Sequence, residues 1–291
     1  MGDEERIREI TALMRLMDEP DMAIFEQVSE RISSFGDQAL PFLENTWEAS
    51  SSELVQERAV QLIDEIRFMQ IYKDFQHWVQ RGCIDLMEGC LILGRMDQPD
   101  LSEESVHQEM ARIRKDIWLE VNENLTALEQ IRVFNHVFYD IHGFSGNADT
   151  MHASANSYLH RVLQDRKGNP LSLSIIYMLI GQSLDIPVFG VNLPEHFVLA
   201  YVGESVDFQI EGSSDVLFYI NAFSRGTVFS RQEVAEFVQR LGHHPHARYL
   251  EPCGNRDIIA RMLNNLLTAY FNEGSTHRVG QIEGMRKLLN D

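Results

Sequence analysis

Cysteine is nearly missing from this protein: Cys83, Cys90 and Cys253 are the three among 291 residues. The number is odd and no pair has CxxC spacing. That argues against a disulfide framework and points to reduced thiols in a cytoplasmic protein. Basic residues are also in short supply, 25 against 44 acidic ones, for a formal net charge of −19. Nucleic acids and anionic membranes both require clustered Lys and Arg, so neither is an expected partner. No apolar run approaches the roughly 20 residues that a membrane span needs. The start, Met1-Gly2-Asp3-Glu4-Glu5-Arg6, has no basic and no apolar signal region, and Arg6 stands where a myristoylation signal needs Ser or Thr. Neither GxxxxGK[ST] nor GxGxxG occurs, and no nucleotide or other cofactor is expected.

What is present is an ordinary globular balance, 44% apolar and 24% charged residues. Residues 4 to 80 read as short amphipathic helices. Ile7, Ile10, Leu13, Met14 and Met17 recur at helical spacing, Asp18-Glu19-Pro20-Asp21 interrupts, and Ile24, Phe25, Val28 and Ile32 resume before Gly36. Two further runs begin near Ala39 and Val55. The shape resembles a pair of HEAT-like hairpins, whose period is about 40 residues; a plain helical bundle is the alternative. More helices are expected over 84–96, 102–122 and 126–141, then over 231–241, 255–272 and 276–290. Between them the period changes. Segments 187–193, 196–202, 206–210 and 217–220 are rich in β-branched and aromatic residues and predict four short antiparallel strands. The expected fold is α+β and mostly helical, with 1–80 as helical hairpins and 81–291 as a module around the small sheet.

One stretch combines the elements of a catalytic site. Lys167-Gly168-Asn169-Pro170 is a helix start: Gly168 permits the turn, Asn169 caps free amides and Pro170 suits the first helical position. His196 opens a later strand and Asn221 ends another. A helix N-terminus activates a nucleophile, a His on a strand acts as base, and an Asn orients it. Each residue also has a structural reading: Ser172 as an amide cap, His196 as a core histidine, Asn221 as an Asx turn. Cys90 reads as core. His243-His244-Pro245-His246 reads as a surface loop, because no carboxylate or thiolate set accompanies it, and no metal is expected.

Gly168-Asn169-Pro170-Leu171-Ser172-Leu173-Ser174 and Leu184-Asp185-Ile186-Pro187 through Pro194-Glu195-His196-Phe197 resemble the signature of SirB1-like proteins, members of the transglutaminase-like superfamily related in fold to papain-type thiol proteases. Phe144-Ser145-Gly146-Asn147, Asn156-Ser157-Tyr158-Leu159, Tyr219-Ile220-Asn221-Ala222-Phe223 and Arg261-Met262-Leu263-Asn264-Asn265-Leu266 extend the likeness over residues 80–290. The resemblance implies a Cys at the start of the helix assigned to 170–184. Counting back from Ile186-Pro187 puts Pro170 there. The implied later Asp reads Asn221, the Pro after it reads Ala222, and Glu195 replaces a small residue; His196 alone matches. The expectation is therefore a degenerate member that binds a protein or peptide through the old cleft, with Asn169, Pro170, Glu195 and Phe197 as cleft residues. Two alternatives stand beside it: a Ser172-His196-Asn221 acyl hydrolase or transferase, and a helical-repeat scaffold.

Overall fold

A computed structural model describes residues 2–122, 124–203, 215–244 and 249–290. The protein divides after Phe75 into two compact units, where the sequence pattern puts a boundary at 80. The first unit holds α1 (Asp3–Met14), α2 (Met22–Ser33), α3 (Leu40–Ala49) and the start of α4 (Glu53–Gln80). The fourth helix is thus long rather than short. No Gly or Pro occurs from Glu53 to Arg81, so nothing stops it before Gly82. Phe25, Val28, Ile32, Leu43, Ala59, Leu62 and Ile66 make this unit's core. Buried Arg58 donates to the carbonyls of Met17 (2.9 Å) and Glu19 (2.8 Å) and lies 3.7 Å from the Phe25 ring centre, holding the acidic turn that separates α1 and α2.

The second unit begins at Gln76. It contains α5 (Leu86–Gly94), α6 (Glu103–Glu120), α7 (Ala127–Asn135), β1 (Ser145–Gly146), α8 (Leu159–Asp165), β2 (Lys167–Gly168), α9 (Pro170–Gln182), β3 (Val188–Leu193), β4 (His196–Val202), β5 (Val216–Asn221), β6 (Thr227–Phe229), α10 (Arg231–Arg240), α11 (Asn255–Asn272) and α12 (Thr276–Asn290). The helix expected over 126–141 changes at His136 into a wider π turn through Ile141. The wider turn lets the consecutive residues Val137, Phe138 and Tyr139 all be buried.

Strands β3 to β6 form an antiparallel sheet in sequence order. Three of the four expected strands correspond to β3, β4 and β5. The expected strand at 206–210 lies outside the described residues. Strand β6 has no counterpart among the expected strands, because three largely exposed residues after a glycine turn carry little alternation. Both faces of the sheet are covered, which is why β4 is buried from Phe197 to Val202. Val191, Val198, Ala200 and Tyr219 pack with Val234 and Val238 of α10. Helix α9 packs on β3 and β4. It is buried on nearly every side, from Leu171 through Ile180, so it reads as apolar all round rather than striped. Phe134 and Tyr177 meet at 3.9 Å, and Phe138 stacks on Phe144 at 4.2 Å, beneath it.

Candidate functional site

The site grows from the start of α9. Asn169 Oδ1 accepts from the Ser172 amide (2.9 Å), and Ser172 Oγ accepts from the Asn169 amide (3.0 Å), a reciprocal capping box. Ser172 Oγ also donates to the Asn169 carbonyl at 3.3 Å, and Asn169 Nδ2 donates to Ser157 Oγ at 3.1 Å. A Cβ at Gly168 would lie 2.7 Å from Ser172 Oγ, so a larger residue would force the capping box to shift. Strand β1 pairs in parallel with β2, and Asn147 donates its amide to the Gly168 carbonyl (2.9 Å) and its side chain to Asn156 (3.0 Å). Three separate sequence segments are therefore tied to one helix start.

Beside it lies a cavity of about 240 Å³. All four proposed cleft residues, Asn169, Pro170, Glu195 and Phe197, line it, and so does His196. Ser172 and Asn221 do not. Ser157 and Phe223 stand in the wall from motifs quoted above, and α11 adds Arg261, Asn265 and Thr268. No role follows for these last three from the motifs. Their spacing of i, i+4 and i+7 puts three polar groups on one helix face, which is the signal that could have found them.

The hairpin between β3 and β4 turns through Pro194 and Glu195, and Glu195 is left-handed at φ 56°. A non-glycine residue there is strained by roughly 1 kcal/mol or more. The turn sets His196 where it touches two cavities, the first and a second of about 320 Å³ under α10. Phe237 of α10 meets its ring edge-on at 5.8 Å. Asn221 lies against it from the second cavity, with Nδ2 3.2 Å from His196 Nε2. The amide's orientation is settled by its other end: Asn221 Oδ1 accepts from the amides of Phe223 (3.0 Å) and Ser224 (3.2 Å). Asn221 is thus both an Asx turn and the partner of His196. Because Nδ2 is a donor, Nε2 must accept, and the neutral ring carries its proton on Nδ1.

Burial, and then the positive charge of Arg261, hold the His196 pKa below the usual imidazole value. Burial does the same for His142. A histidine whose native pKa is depressed takes up protons in the unfolded state first. Stability is therefore lost as pH falls below the unfolded value of about 6.5, until the native pKa is passed. The expected outcome is a melting temperature lower at pH 5.5 than at pH 7.5, with the drop reduced in His196→Gln/His142→Gln; an equal drop in the double variant would remove these two residues as its source.

Among the described residues no group of three or more His, Cys, Asp and Glu is placed to hold a metal, and no helix is long and apolar enough to cross a membrane. Of the His243–His246 run, Pro245 and His246 lie outside the described residues. No cysteine lines either cavity. Burial pushes the Cys90 and Cys253 thiols up to about 12.

The profile of the transglutaminase-like superfamily matches residues 104–264. The chain belongs to that superfamily. A UPF0162 protein of Xylella fastidiosa is 30% identical over 205 residues, 68% of this chain and 69% of its own length. A UPF0162 protein of Vibrio cholerae is 29% identical over 195 residues, 65% and 68% of the two proteins. Protein SirB1 of Salmonella typhimurium is 24% identical over 192 residues, 65% and 67%. No solved structure matches. The transglutaminase-like match spans the start of α9, the β3–β4 hairpin, the His196–Asn221 pair and α11 as far as Asn264.

Proposed function

We propose that this transglutaminase-like protein binds an extended peptide or protein segment in the cavity at the start of α9 and performs no acyl transfer there. The observation that carries this reading is Pro170 as the first residue of α9, in the cavity wall with His196. Proline offers neither a nucleophile nor a backbone N–H to an oxyanion at that point. The neighbouring hydroxyls are engaged elsewhere: Ser172 in the capping box, Ser157 with Asn169, and Thr268 with the Asn264 carbonyl. A Nδ1-protonated His196 presents a donor rather than a base, which suits recognition. The unpaired thiols fit a reducing, cytoplasmic location.

The test has two arms. Turnover of p-nitrophenyl esters and of Gln-containing peptides is expected to equal buffer. Peptides enriched from a randomised library are expected to lose binding to Thr268→Trp, which fills the cavity from an exposed position on α11. Turnover abolished by both Ser172→Ala and His196→Ala would instead establish the Ser-His-Asn hydrolase, whose His196 and Asn221 lie 3.2 Å apart.

A further inference from the structure

The cavity contains one permanently cationic group, Arg261, that has no carboxylate in ion-pair distance among the described residues. Arg261 uses only Nη1, on neutral acceptors and at long range: Asn192 Oδ1 at 3.3 Å and the Leu193 carbonyl at 3.4 Å. No carboxylate among the described residues lies within ion-pair distance of it. Glu195, at the exposed rim of the same cavity, acts on it only through space. Burial pulls the Arg261 pKa below its usual value, so the charge is held at a cost that Glu195 offsets only in part. Several other arginines have stronger partners. Arg58 has two carbonyls at 2.8–2.9 Å, and Arg112, Arg161, Arg166 and Arg231 have carboxylates.

Nη2 and Nε of Arg261 form the side of the guanidinium that matches a carboxylate with two parallel hydrogen bonds. Asn265 and Thr268 add neutral polar groups on the same face of α11. Glu195 at the rim disfavours a second negative charge. A single carboxylate meets these conditions better than a dianionic phosphate. The cavity, at about 240 Å³, is smaller than the several hundred Å³ of a typical small-molecule site, so it suits the end or one side chain of a longer ligand.

We infer that Arg261 is the specificity residue of this cleft and that the cleft recognises a carboxylate carried by an extended peptide. The inference rests on the peptide-binding reading above. The carboxylate comes either from the C-terminal end of a polypeptide or from an Asp or Glu side group, and the experiment separates the two.

The probes are two randomised decapeptide libraries, one with free C-terminal acids and one with C-terminal amides, selected on the whole protein. Affinities of the enriched peptides are then measured by fluorescence polarisation. Enrichment only from the acid library assigns the terminal carboxylate; enrichment of Asp- or Glu-containing amides assigns the side group. In either case Arg261→Gln is expected to weaken binding at least tenfold. Arg261→Lys should fall between, because an ammonium keeps the charge and loses the paired geometry. Glu195→Gln, at an exposed position, is expected to tighten binding. It tests the same charge logic even where Arg261→Gln perturbs the hairpin. Neutral amidated peptides that bind wild type and Arg261→Gln equally would overturn the inference and leave the cleft reading intact. Failure of wild type to enrich any peptide would sink the cleft reading itself.

Discussion

Pro170→Cys is expected to create the single fast-reacting thiol of this protein. The native thiols are poor nucleophiles at neutral pH, since Cys90 and Cys253 are pushed up to about 12 and Cys83 is raised by burial. A thiol of ordinary pKa, about 8.5, holds roughly a thousandfold more thiolate at pH 7. The lower intrinsic nucleophilicity of a less basic thiolate takes back about half of that on a logarithmic scale. Alkylation by iodoacetamide should therefore run roughly thirtyfold faster at position 170 than at Cys90 or Cys253. The partial positive charge at the start of α9 should lower the new thiol's pKa further. The substitution is mild for the fold, because the first helical position needs no side-chain partner and Asn169 still caps Ser172. Peptide mapping after a timed pulse identifies the site. Alkylation of the introduced thiol no faster than of Cys253 would mean that the first residue of α9 is closed to the cavity, and would remove the basis for equating it with a nucleophile position. The expected readout is reactivity, not turnover: Asn221 still donates to His196 Nε2, so the ring remains a poor base.

Asn135→Ala is expected to cost about 3 kcal/mol. Asn135 Nδ2 donates to the Gly226 carbonyl at 3.0 Å, and its Oδ1 accepts from the Tyr177 hydroxyl at 2.9 Å. Tyr177 is fully buried and Gly226 is buried, so truncation strands a donor and an acceptor, each worth about 1–3 kcal/mol. For a unit of this size that is a melting temperature lower by roughly 6–12 °C. The contact is as close as backbone allows: Gly226 has φ +68°, and a Cβ there would lie 2.1 Å from Asn135 Oδ1. Tyr177→Phe should cost less. The double variant should cost less than the sum, because one lost bond is shared. Additive losses would show that the two side chains do not act as a unit. The link matters to the site, since the turn at Gly226 follows directly on Asn221 and Ala222.

How far the site could be read ahead of the fold follows from the range of each interaction. Gly168, Asn169, Pro170 and Ser172 act within four residues of one another, so the helix start and its capping box are implied by the local pattern. The alternation and β-branched content of 188–193 and 196–202 likewise carry β3, β4 and the position of His196. The ordered motifs carry the superfamily. Asn221 shows the limit: its dual reading, Asx turn or partner of His196, is open in sequence, and the structure gives both. The left-handed Glu195 is beyond local reach, because Pro-Glu permits a turn without specifying its hand.

The amino-acid sequence alone established the helix that starts at Pro170, the hairpin whose second strand starts at His196 and the superfamily to which they belong, because each depends on near neighbours along the backbone. Only the tertiary structure decided what surrounds them. Arg261 reaches the cavity from α11, 91 residues after Pro170 in the numbering, and Asn221 meets His196 across 25 residues. Which polar groups end up paired, and which cation is left without a carboxylate among the described residues, is set by packing of distant elements, where short-range periodicity holds no information.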